Sequence, residues 1–310
     1  TSRFQGSKRA CSMPHGFKAM ISKTPRGASQ REISEWNGQV RITESDLLAE
    51  ETPVALIYNG ISHAVMMASP IDLEAFAYGF SLSEGIIDDP AQIYGIEVCA
   101  VELGIEVMIT LGSRHFDQLK KRRRALVGQS GCGLCGAESL TQVHQKFSAL
   151  PPQNFQVSHD AIHSATDHLA HHQPLQQSTG AVHGAAWCSL GGQIINICED
   201  VGRHNALDKL IGKRAIEENS VQEQPGFLLM SSRASFEIIQ KAAMAGIGLV
   251  VTISGPSSLA VDLAVKSGIT LVGFSRADRH VVYTHPDRVV EGNQFRDLLS
   301  DRPSNQTSHR

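Results

Sequence analysis

The feature that most limits the fold is an alternation of short apolar runs with helical patterns after Pro151-Pro152. Phe227–Met230, Leu249–Ile253 and Thr270–Phe274 are apolar runs of four or five residues, a length that suits buried strands. Between them, Ser235–Ala245 and Ser257–Val265 read as helices, with Ser235 as an N-cap. Upstream, Ala161–His171 reads as a helix, and Ala181–Leu190 pairs with Gln193–Ile197 around Gly191-Gly192. His204–Leu210 adds a further helix. Strands joined through helices at short spacing predict a layered α/β domain with mostly parallel pairing. Ligands of such sheets collect at the loops beyond the strand carboxyl ends.

The half before Pro151 has a different pattern. Val54–Tyr58 and Ile61–Met67 read as two strands joined by an Asn59-Gly60 hairpin turn. Ser69-Pro70 is expected to start a helix, with Pro70 at its first position and Leu73, Phe76, Ala77 and Phe80 on its apolar face. Ile96–Val101 and Glu106–Leu111 are two more strands, and Leu119–Leu126 a helix. The expected organisation is a basic disordered tail over 1–38 and a smaller α+β domain over 39–150. A larger α/β domain follows over 151–292, with a polar tail over 293–310.

Of the 310 residues, 41% are apolar and 19% charged, and the net charge is -3. These values fit a globular chain and give no global basic field for nucleic acid. Aromatic residues at 5% disfavour a stacking platform for single strands. The longest apolar stretch, Ala242–Val265, is interrupted by Ser254-Gly255-Pro256-Ser257-Ser258 and does not read as a membrane span. The first thirty-one residues carry Arg3, Lys8, Arg9, Lys18, Lys23, Arg26 and Arg31 with no acid and no apolar signal core.

Six cysteines spread over this length do not form a disulfide framework and read as mostly reduced thiols. Cys188 and Cys198 sit in apolar runs and read as buried and inert. Gly131-Cys132-Gly133-Leu134-Cys135-Gly136 is different. A Cys-x-x-Cys pair serves zinc binding, dithiol redox chemistry or sulfur carriage. Structural zinc needs two further ligands, and neither a second pair nor a finger-like histidine pair is present. A thioredoxin-like dithiol follows a strand and opens a helix, whereas three glycines favour a loop here. Sulfur carriage needs a thiolate. The run Lys120-Lys121-Arg122-Arg123-Arg124 could supply the positive field, although such runs are more often solvated helix faces. Cys135 would then be a resolving thiol beside the carrier Cys132.

The ordered chain resembles the formate dehydrogenase accessory sulfurtransferase family, FdhD/NarQ. The matching runs include Val54-Ala-Leu-Ile-Tyr-Asn-Gly-Ile-Ser-His63, Met66-Met67-Ala-Ser-Pro70, Gly79-Phe-Ser-Leu-Ser-Glu-Gly-Ile86 and the cysteine loop. Others are Glu199-Asp-Val-Gly-Arg-His-Asn-Ala-Leu-Asp-Lys209, Ser231-Ser-Arg-Ala-Ser-Phe-Glu237, Leu271-Val-Gly-Phe274 and Tyr283-Thr-His-Pro286. The resemblance implies a cytoplasmic, homodimeric sulfur carrier. A cysteine desulfurase would load Cys132 with sulfane sulfur. The carrier would pass it to the molybdenum cofactor, bis-molybdopterin guanine dinucleotide, bound as substrate for formate dehydrogenase activation. Two alternatives are a non-enzymatic cofactor-binding chaperone and a zinc-stabilised binding module.

The resemblance also implies a cytidine deaminase-like C-terminal domain. Zinc deaminases need His-x-Glu and a later Pro-Cys-x-x-Cys. Here His183 is followed by Gly184-Ala185 and the cysteine pair comes earlier, so no metal of its own is expected. The family's nucleotide loop matches Phe274-Ser275-Arg276-Ala277-Asp278-Arg279. Arg276 and Arg279 are expected on phosphate and Phe274 on a base, with Arg203, His204, Arg233 and His183 as further cofactor contacts. Asp200 is expected to cap the following helix or to fix His204. Departures from the family pattern are Cys198, Ala181 and Asp278.

Overall fold

The structure is a computed structural model that describes residues 24–127, 149–151, 155–218, 225–276 and 278–292, with backbone only at 121–127 and 218. The chain enters through a ribbon of β1 (Ala28–Asn37) and β2 (Val40–Ala49), which pair antiparallel along their full length. This corrects the expected tail at residues 28–37. Their alternation is polar on both faces over much of the length, which hides a strand pattern from a hydrophobicity reading.

β3 (Thr52–Tyr58) and β4 (Ile61–Ala68) form the expected hairpin. Asn59 and Gly60 both take positive φ, 46° and 82°, as the tight turn requires. α1 (Leu73–Ser83) follows, then β5 (Ile93–Val101), β6 (Gly104–Leu111) and α2 (Ser113–Val127). The sheet order is β4-β3-β6-β5. Its buried face, with Val54, Leu56, Tyr58, Val107 and Ile109, packs on Phe76 and Phe80 of α1 and Leu119 of α2. The expectation that Pro70 opens α1 is corrected. Ser69 is tied into contacts with the C-terminal domain, and Asp72 turns left-handed at φ 52° before Leu73 starts the helix.

β7 (Val157–Ser158), α3 (His159–Leu169), α4 (Pro174–Thr179), β8 (His183–Ser189) and β9 (Ile194–Asp200) begin the second domain. It continues through α5 (Arg203–Glu218), β10 (Gly226–Met230), α6 (Phe236–Met244), β11 (Leu249–Thr252) and α7 (Ser258–Ser267). β12 (Thr270–Arg276), β13 (Arg279–Val282) and β14 (Val289–Val290) complete it. Six strands form one sheet in the order β13-β12-β11-β10-β8-β9.

Within this six-stranded sheet only β10–β11 and β11–β12 are parallel. The expectation of mostly parallel pairing is corrected, because β8–β9 and β12–β13 are joined by short turns that permit only antiparallel pairing. One face of the sheet, with Ala185, Leu228, Met230, Val250 and Leu271, packs on α5, α6 and α7. The other, with Ala186, Phe227, Leu229, Val251 and Val272, packs on α3. The domain is therefore three-layered.

The two domains share a tight seam between α1 and α5. A Cβ on Gly79 would lie 1.6 Å from the Asp208 carbonyl oxygen, and one on Gly212 would lie 1.8 Å from that of Ala75. Only hydrogen at both positions lets the backbones meet. Beside this crossing, Lys241 Nζ donates to Ser83 Oγ at 3.0 Å, Glu84 Oε1 at 2.7 Å and Asp208 Oδ2 at 3.0 Å. Burial opposes the Lys241 charge, but the facing Asp208 and Glu84 carboxylates outweigh it and hold its pKa above the usual lysine range.

Candidate functional site

β9, β10, β11 and β12 all end at one edge of the large sheet, and β8 starts there. His183 at the start of β8 pairs with Asp200 at the end of β9. The turn after β9 carries Arg203 and His204, and the turn after β10 carries Ser231, Ser232 and Arg233. Phe274, Arg276 and Arg279 belong to the β12–β13 hairpin. Most of the expected cofactor contacts are thus brought to one edge from distant parts of the chain.

Bonds between loops hold that edge together. Ser231 N donates to Gly184 O at 3.0 Å, and Gly184 N donates back to Ser231 Oγ at 2.8 Å. Ser257 N donates to Ala234 O at 3.0 Å, and Arg276 Nε to Ile253 O at 3.1 Å. Phe274 adopts φ 53°, a left-handed backbone that non-glycine residues rarely take. Its ring packs so close to Gly255 that a Cβ there would lie 2.6 Å from Cζ. Phe274 is nevertheless 40% exposed, with the Arg279 guanidinium 5.9 Å from its ring centre.

Other members of the set divide. Ser275 is fully buried and its hydroxyl meets Thr166 Oγ1 at 2.7 Å, so its side chain faces away from the loop's exposed side. Asp278 and Arg233 are exposed. Ala277 and the whole Cys132–Cys135 loop lie outside the described residues. Lys120 on α2 pairs with Asp117 at 2.7 Å and stands over Phe116, while the side chains of Lys121–Arg124 lie outside the description. Cys188 and Cys198 are buried as expected, and burial pushes both thiols up to about 12, too high for a reactive thiolate.

Asp200 does not take either expected role. Its Oδ2 pairs with Lys209 Nζ at 2.6 Å and accepts from Ser69 N at 3.0 Å. Its Oδ1 accepts from Gly202 N at 2.8 Å and Asn205 Nδ2 at 3.0 Å. The carboxylate therefore shapes the turn before α5 and ties it to the N-terminal domain. His204 is held instead by Glu237, with Nε2 to Oε2 at 2.8 Å. That bond holds the Glu237 carboxyl below its usual range against the effect of burial. Glu237 lies in the run Ser231–Glu237 that resembles the family, and its place as an acid in the first turn of α6 is the one sequence signal of this role. Burial, joined by the nearby Arg203 and His204 charges, lowers the pKa of His183. Arg203 Nε is buried and has no hydrogen-bond partner among the described residues. Together these groups give a rigid, positively charged edge with an exposed ring, suited to phosphates and a flat base.

A family model described as the FdhD/NarQ family matches residues 49–290. The chain belongs to the FdhD/NarQ family. A relative within it, the sulfur carrier protein FdhD of Acinetobacter baylyi, is 50% identical over 247 residues, 80% of this chain and 89% of the relative. The crystal structure of a candidate formate dehydrogenase accessory protein from Desulfotalea psychrophila superposes with a TM-score of 0.66 at 25% identity. That match covers 85% of this chain and 99% of the other, so the FdhD/NarQ fold extends over both domains described above.

Proposed function

We propose that this chain is the sulfur carrier of formate dehydrogenase maturation, with Cys132 as its carrier thiol and the molybdenum cofactor as its bound substrate. The observation that carries the reading is the stapled cationic edge, where Arg203, Arg276 and Arg279 accompany an exposed Phe274. The sulfur-carrier role named for the Acinetobacter relative supports the same direction.

In the first step the Cys132 thiolate attacks the terminal sulfur of a cysteine desulfurase persulfide. The donor's S–S bond breaks, its thiolate leaves, and a Cys132 persulfide forms. The edge would bind the guanine dinucleotide cofactor through its phosphates; the Cys135 thiolate would attack Cys132 Sγ, the persulfide S–S bond would break, and hydrosulfide would leave for the metal centre as a Cys132–Cys135 disulfide forms. Cys135 stands as a resolving thiol. A cytoplasmic homodimer is part of the proposal and comes from the family resemblance. No helix among the described residues is long and apolar enough to cross a membrane. The hairpin β8–β9 leading into parallel β10, β11 and β12 supports a deaminase-like scaffold, here without deaminase chemistry.

The test is intact-mass measurement after incubation with a cysteine desulfurase and cysteine. The protein should gain one sulfur atom, and Cys132→Ala should not. If Cys132→Ala,Cys135→Ala still activates apo formate dehydrogenase fully, the carrier reading fails and a cofactor-binding chaperone takes its place.

A further inference from the structure

On the face of the sheet opposite α5, α6 and α7, three imidazoles meet that play no part in the site above. His159 and His163 are one helical turn apart on α3, and His280 lies on β13. The i, i+4 spacing places two histidines on one helix face, the arrangement that helices use to chelate zinc. Ring centres are 5.7 Å apart for His159–His163, 4.8 Å for His163–His280 and 6.5 Å for His159–His280. His280 Nδ1 and His163 Nε2 face each other at 2.8 Å.

The geometry points to a three-histidine site for a divalent late transition-metal ion, formed by His159, His163 and His280, that clamps α3 to the β12–β13 hairpin. Metal–imidazole bonds of about 2.0–2.1 Å in a tetrahedral site put donor nitrogens roughly 3.3 Å apart and ring centres roughly 5.2 Å apart. The three observed centre distances bracket that spacing. His163 and His280 need to part by only about 0.5 Å to admit an ion between their nitrogens. One of the two rings moves its proton to its far nitrogen, so both present lone pairs and no net proton is exchanged.

Among the described residues no three such donors yet converge on one point. His163 and His280 are hydrogen-bonded to each other, and His159 Nε2 is turned towards Asp160 Oδ1 at 3.5 Å. His159 is partly exposed and at the start of α3, so rotation about its side-chain bonds brings it in. Water or the exposed Asp160 carboxylate supplies the fourth position. Imidazole donors select zinc, nickel, copper or cobalt over magnesium and calcium. The site adjoins the candidate nucleotide loop, because His280 follows Arg279 and Thr166, one turn beyond His163, holds Ser275. The inference stands on its own geometry and does not depend on the sulfur-carrier reading.

The test uses tag-free full-length protein carrying Cys132→Ser and Cys135→Ser, so that the cysteine pair contributes nothing. Titration with Co²⁺ alone should give one equivalent with the visible absorption of four- or five-coordinate cobalt, displaced by Zn²⁺. His280→Gln should weaken binding by roughly a hundredfold or more, while His171→Gln,His172→Gln, in the exposed 3-10 turn Ala170–His172 that follows α3, should not. Zinc at a hundred times its Kd should raise Tm by roughly 5 °C. Histidine ring NMR of the protein without the His280 change provides a second readout, with signals of His159, His163 and His280 shifting together. Absence of cobalt binding, or binding unchanged in both His280→Gln and His163→Gln, would overturn the proposal and leave an ordinary histidine–histidine hydrogen bond.

Discussion

His183 reports the electrostatics of the candidate edge. Burial is the larger force on it, and the charges of Arg203 and His204 add to that force, so its pKa lies below the ordinary 6.5. The sign follows directly. Below about 6.5 the unfolded chain takes up the proton more readily than the folded one, so His183 makes folding less favourable as pH falls through that range. Arg203→Gln should raise the His183 pKa towards its ordinary value, read from the ring-proton chemical shift across a pH titration. An unmoved titration would show that Arg203 contributes no field where the cofactor phosphates are expected to lie. Glu237 belongs to the same scale. Its bond to His204 joins α6 to the start of α5, a contact between residues thirty-three apart that no local pattern announces.

At the scale of elements, the strand–helix alternation after Pro151 was legible because each run has the length and periodicity of what it forms. Pairing direction was less legible, since it depends on whether a connection is long enough to carry a helix across the sheet. The β1–β2 ribbon escaped notice because it has no apolar face to give it away. Candidate residues such as Phe274, Arg276 and Arg279 came from the family resemblance, while the buried turn of Ser275 against Thr166 needed the packing of α3. The α1–α5 crossing makes its own prediction. Gly79→Ala would drive a methyl group into the Asp208 carbonyl and force the helices apart. It should destabilise the protein by about 2–3 kcal/mol in a denaturant melt. Gly95→Ala, with open space around it, should change stability by less than about 0.5 kcal/mol.

For the whole molecule, the decisive feature is that buried ionic groups of the C-terminal domain are bonded to Ser69, Ser83 and Glu84 of the N-terminal domain in one seam. Lys209 and Asp200 are fully buried and both meet Ser69, while Lys241 joins Asp208 to Glu84. Separating the domains would break these bonds and pull the α1–α5 crossing open. Calorimetry should therefore give one unfolding transition, with calorimetric and van't Hoff enthalpies in agreement. Lys241→Met should cost about 3–5 kcal/mol in a denaturant melt by leaving Asp208 without its cation. Two resolved transitions in the unaltered protein would contradict this account.

The glycine pair at that seam also sets a rule for recombination. A chimaera that joins the first half of one homologue to the second half of another inherits one helix of the crossing from each parent. If either parent carries a side chain larger than hydrogen at the position of Gly79 or Gly212, the halves cannot close, however well each folds on its own. Residue 150 is thus a boundary in pattern but not a safe place to cut and splice.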